Sequence, residues 1–142
     1  PLAGKPRIPI TRLAREPFVV RERGSDTWHS MQEGFGARFA DLRIAMEIRS
    51  TETIKQAVMA GMGISFLSAH TISSELKSKS LVVLEVQGFP LMLNWYVVHR
   101  HNKRLPPVAQ AFKDFLIKDG AGLIDHFLPL THQRGKAPSR KV

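Results

Sequence analysis

The 142-residue chain predicts an α/β fold built on a mostly parallel sheet. Short β-forming runs alternate with stretches of helical spacing along its whole length. The first two long candidate helices open on Ser, Thr or Asp directly after a candidate strand. The stretch Glu52–Ser68, ETIKQAVMAGMGISFLS, passes from a helical pattern through two closely spaced glycines into the next strand, the tight return that a helix packed on a sheet requires.

Taken in order, Pro6 and Pro9 flank an extended entry. PFVVRE (17–22) is a strand of β-formers after a proline. RGSDT breaks it, and Ser25 or Asp26 caps a helix over 26–39 whose apolar stripe is Trp28, Met31, Phe35 and Phe39; Gly34 and Gly36 weaken its second half. RIAMEIRS (43–50) alternates, with Ile44, Met46 and Ile48 on one face and Arg43, Glu47 and Arg49 on the other. Ser50 and Thr51 cap a helix over 51–60, where Glu52 suits the positive end of the helix dipole. Its stripe is Ile54, Ala57, Val58 and Gly61, with Gly61 at the left-handed cap. ISFLS (64–68), LVVLEV (81–86) and LNWYVVH (93–99) are further strands, and SSELKS is a short helical piece. The last helix starts near Pro107, buries Val108, Phe112, Phe115 and Leu116, and ends at Gly120. Trp95 and Tyr96 alternate, so one belongs to a core and the other to a surface; Met46, Met59 and Met62 read as core filling.

Composition excludes several classes. With no cysteine there are no disulfides or thiolate metal sites, which fits a reducing compartment. No apolar run of membrane-spanning length and no signal peptide is present. The opening PLAGKPRIPITRL, without Met, reads as part of a longer protein. The net charge of +9 is uneven: residues 1–70 carry ten Lys/Arg against seven Asp/Glu, and residues 71–142 eleven against five. Much of the excess lies in the acid-free PLTHQRGKAPSRKV (129–142), whose composition is that of a solvated tail rather than a site. No nucleophile elbow, phosphate loop or HExxH motif occurs. Asp26 and His29 sit one helical turn apart, as surface pairs commonly do, and His99 and His101 have no obvious third ligand for a metal. The expectation is a protein that is not an enzyme and needs no cofactor.

Three phrases carry a family resemblance. ETIKQAVMAGMGISFLS resembles the helix-to-strand passage of LysR-type transcriptional regulators. PFVVRERGSDT looks like their RExGSGTR loop, and WYVVHRHNKRLPPVAQAFKDFL like their closing strand and helix. The wording over residues 46–71 is nearest to the subgroup that activates RuBisCO operons, and the resemblance spans about residues 1–118. It implies the type 2 periplasmic-binding-protein-like, two-lobed effector domain. Residues 1–72 would be the complete second lobe with its hinge entry, 73–118 the returning part of a partial first lobe, and 119–142 a basic, flexible tail. It also implies a cytoplasmic regulator that forms dimers or tetramers through this domain, with helix 26–39 in the contact. Promoter DNA would be read by a winged helix-turn-helix absent from this chain, and no membrane would be involved. A solute-binding module of a transporter shares the fold and stands as the alternative.

The same resemblance implies an anionic effector, such as a sugar phosphate or NADPH, between the lobes. Helices 26–39 and 51–60 both follow strand ends, so their free N–H groups and positive dipole ends face that cleft. The candidate effector-binding residues are Arg21, Glu22, Gly24, Ser25, Thr27, Ser50, Thr51, Gly63, Ile64 and Ser65. Arg21 and Arg23 would add charge-assisted bonds. Gly61 and Gly63 are equally demanded by the turn itself, and the Ser and Thr residues are helix caps whether or not they touch a ligand. The loop departs from the family pattern, since Asp26 and Trp28 stand where the family often has Gly and Arg. An acid there competes with an anionic ligand for the same N–H groups.

Overall fold

The computed structural model describes residues 2–126, which form two compact units, one ending at Met92 and the other beginning at Leu93. The first unit is organised around β1 (Pro17–Arg21) and β2 (Arg43–Ile48), which pair in parallel with Phe18 opposite Ile44 and Arg21 opposite Ile48. The register slips between Phe18 and Val19. On its other edge β1 meets Ile64: the Val19 N–H donates to the Ile64 carbonyl and the Ile64 N–H to the Pro17 carbonyl, both at 2.9 Å.

β1 is covered on both faces, which is why it reads as an unbroken apolar run rather than an alternating one. Phe18 and Val20 point into the larger core with Met31 and Phe35 of α2 (Asp26–Phe35). Val19 points the other way, onto Ile54 and Ala57 of α3 (Thr51–Met59). Phe18 and Phe35 meet edge to face with ring centroids 5.9 Å apart. α1 (Ile10–Leu13) adds Leu13 to the larger core.

The expected helix over 26–39 is shorter, because α2 stops at Phe35 and Gly36–Asp41 tightens into a 3-10 turn. Phe39 still reaches Trp28, edge to face at 5.1 Å, so the stripe survives the change of helix type. α3 ends as the sequence indicates. Gly61, at φ +78°, donates to the Val58 carbonyl, and the Met62 N–H to that of Ala57. This paired closure uses the left-handed residue that favours glycine. Two residues on, Gly63 is required by crowding: a Cβ there would run into the Pro17 carbonyl oxygen, the acceptor that holds Ile64 to β1.

Three expected strands are not ladders. Of 64–68 only Ile64 bridges, and of 81–86 only Val86, which pairs in parallel with Ile8. Residues 93–99 pair with no strand among the described residues. A strand exists by its partners, and here each run has one contact point or none. Trp95 and Tyr96 are both exposed, so neither fills a core, and Met62 is also exposed. α4 (Ser73–Lys77) matches the expected short helix. α5 (Pro107–His126) continues through Gly120, so that residue does not end the helix and part of the expected tail is helical. A single glycine inside a helix costs only about 1 kcal/mol relative to Ala. The α5 stripe is exposed at Val108, Phe112 and Phe115 rather than buried. The remainder of the tail, 127–142, lies outside the described residues. The break between compact units falls downstream of the 72/73 lobe junction expected from the family.

Candidate effector site

Two parallel strands followed by helices bring the two helix starts to one edge of the sheet. Arg21 and Ile48 are the last paired residues of β1 and β2, and α2 and α3 begin a few residues beyond them. In parallel α/β sheets this carboxyl edge is where ligands gather. The Ser25 Oγ accepts from the Trp28 N–H at 3.2 Å and the Ser50 Oγ from the Thr53 N–H at 3.2 Å, so both serines are N-caps. The Ser25 hydroxyl also donates to the Glu22 carbonyl at 2.9 Å, folding the loop back on the strand end. Thr27 lies in the first turn of α2, and Asp26 beside it is exposed. Gly24 occupies the loop with a positive φ and open space where a side chain would stand.

Arg21 is the centre of this edge. Its Nε and Nη2 donate to the two Glu22 carboxylate oxygens at 2.8 and 3.0 Å, and its Nη1 donates to the Thr51 hydroxyl at 3.3 Å. The fork is bidentate, the geometry in which guanidinium–carboxylate pairs are strongest. The hydrogen bond to Glu22 raises the Arg21 pKa above its ordinary value. The Arg21 hydrogen bond holds the Glu22 carboxyl below the usual range, helped by its own backbone N–H and by the field of Arg49.

Other groups brace the loop. The Arg23 N–H donates to Glu47 Oε1 at 2.8 Å, the Arg23 guanidinium lies 3.4 Å from Glu47 Oε2, and Arg23 also stands over the Trp28 ring at 5.6 Å. Glu47 was legible only as an outward residue of an alternating strand; its hold on the β1–α2 loop needs the parallel register. Gly63 and Ile64 serve the backbone link to β1 described above. The Ser65 Oγ is buried without a hydrogen-bond partner. Among the described residues, no group of three or more His, Asp or Glu could hold a metal ion, and no helix is long and apolar enough to cross a membrane.

The structure thus brings Arg21, Glu22, Ser25, Ser50 and Thr51 to one edge, while Gly63 and Ile64 are accounted for by the turn. Sequence reading missed the Glu52–Lys55–Glu75 network. Lys55 Nζ lies 2.6 Å from Glu52 Oε2 and 2.7 Å from Glu75 Oε1, and it ties the helix whose start forms the site to α4. The Glu52–Lys55 spacing was a visible signal; Glu75 was too distant in the chain to find.

Residues 1–121 match the LysR substrate binding domain. The chain belongs to this family. It is 46% identical over 121 residues to a RuBisCO operon transcriptional regulator of Allochromatium vinosum, covering 85% of this chain and 40% of that protein. It is 42% identical to the HTH-type transcriptional regulator CbbR of Xanthobacter flavus over 146 residues, 96% of this chain and 44% of the relative. The chain thus spans less than half the length of these relatives. Among solved structures, the Synechocystis CcmR regulatory domain in complex with 2-PG superposes with a TM-score of 0.76 at 44% identity, covering 82% of this chain and 56% of that one. These relatives bear the names of transcriptional regulators rather than enzymes, and they do not favour the transporter reading.

Proposed function

We propose that this chain is the effector-sensing part of a regulator of carbon-fixation operons, and that it binds a small anionic metabolite at the shared edge of α2 and α3. The observation that carries this is the Arg21–Thr51 link, which sets a guanidinium at the capped start of α3. Backbone N–H groups and dipole ends at such positions favour anions. The similar CcmR domain was solved with 2-PG, which supports the same ligand class. In the full regulator, residues 1–72 act as the second lobe and 73–118 as the returning part of the first, and closure on the ligand shifts how a homodimer or tetramer presents its DNA-binding domains. Such a regulator works in the cytoplasm, on promoter DNA read by a winged helix-turn-helix.

The test is a thermal-shift titration with 2-PG, ribulose bisphosphate, 6-phosphogluconate, phosphoenolpyruvate, NADPH and a neutral sugar. A saturable stabilisation by an anion, weakened in Thr51→Val, supports the reading. Equal curves for every anion and the neutral sugar overturn it.

A further inference from the structure

Arg21 presents a guanidinium at the start of α3, yet its fork is already occupied. Glu22 holds Nε and Nη2 together, and Thr51 takes Nη1. Three of the five guanidinium N–H groups are therefore engaged. Neighbouring residues of a strand point to opposite faces. Glu22 reaches Arg21 only because it lies just past the end of β1, where the backbone turns into the α2 loop. The two side chains are only 23% and 29% exposed, unlike the loose pairs that decorate surfaces.

We propose that Glu22 is a resident competitor for the anion site: its carboxylate occupies the Arg21 fork that an effector's phosphoryl or carboxylate group needs, so binding proceeds by exchange of anions at Arg21. This rests on the anion-sensing reading above and specifies its selectivity. Two anions on one guanidinium repel each other, so an effector must outcompete a carboxylate already in place. A doubly charged phosphoryl group does so better than a single carboxylate. Glu22 thereby sets a charge threshold and keeps ordinary carboxylates from occupying the sensor.

The experiment measures dissociation constants of 2-PG, inorganic phosphate and acetate for the full chain and for Glu22→Gln, with Glu22→Ser as a second variant in case the first folds poorly. Gln keeps an oxygen acceptor for Arg21 and removes the competing charge. The expected result is about tenfold tighter binding of 2-PG, a difference of about 1.4 kcal/mol. A larger gain is expected for acetate, so that discrimination between phosphate and acetate shrinks. A role confined to holding Arg21 in place would not change that ratio. Binding by the variants alone also supports the proposal. Unchanged or weaker binding in both variants, with the wild type binding 2-PG, overturns the competitor role and leaves the anion site standing. No binding of 2-PG or phosphate by any form overturns both.

Discussion

Arg21 and Thr51 stand thirty positions apart in the chain, yet the Arg21 guanidinium donates to the Thr51 hydroxyl across 3.3 Å. The bond ties the end of β1 to the first residue of α3, the second of the two helix starts at the candidate site. Thr51→Val keeps the shape of the side chain and removes the acceptor. It should weaken anion-dependent stabilisation by about the worth of one charged hydrogen bond, 1.5–3 kcal/mol or roughly 10- to 150-fold in affinity. Calorimetric titration with 2-PG checks this, and an unchanged Kd would remove Thr51 from the site.

The caps separate local from ligand roles. Ser50→Ala should lower stability by about 1 kcal/mol, since it removes one N-cap acceptor, and Ser25→Ala removes the corresponding cap of α2. Urea midpoints measure that loss. Ser25→Ala should cost more than the cap alone, because the hydroxyl also anchors the loop to the Glu22 carbonyl.

Gly63 tolerates no side chain. Gly63→Ala drives a methyl group into the Pro17 carbonyl, so the Ile64 bridge must open. The expected loss is about 2–4 kcal/mol by the measure of overpacked sites. Gly61→Ala, which strains the backbone but meets no atom, should cost about 1–2 kcal/mol. Equal losses at the two positions would contradict this account.

Lys55 is only 8% exposed and sits between two carboxylates. Its hydrogen bonds hold the Glu75 and Glu52 carboxyls below their ordinary values, and those carboxylates raise the Lys55 pKa. The carboxylates therefore contribute stability that is fully present above the unfolded-state value of about 4.5 and is lost as pH falls through the lowered folded values. Lys55 contributes below about 10.5, and that share disappears as pH rises through its raised folded value. Lys55→Met should lower Tm near neutral pH and flatten the acid limb of the Tm–pH curve. An acid limb of unchanged steepness would show that other carboxylates dominate acid unfolding.

Local signals were reliable where one element decides the outcome. Pro17, the Phe18–Val20 run, the Ser25 and Ser50 caps and Gly61 mark β1, α2, α3 and their ends, because propensity, capping and backbone freedom act over a few residues. The family was also legible, because QAVMAGMGISFLS and RERGSDT resemble phrases of the family that the chain matches. The strands at 81–86 and 93–99 were overestimated because apolar alternation says that a run can pair, while pairing depends on a neighbour elsewhere in the chain. The same limit applied to the site. Arg21, Glu22 and Thr51 could each be named from sequence, but the Glu22 fork depends on the backbone turn at the end of β1, and the reach to Thr51 arises only when β1 and β2 align in parallel. Sequence alone determined the starts of β1, α2 and α3 and the close of α3 before Gly61, because those choices are made by short-range sterics and hydrogen bonding. Tertiary structure alone decided which charges meet, because a salt bridge or shared hydroxyl depends on distance in space, and Lys55–Glu75 and Arg21–Thr51 lie far apart in the chain.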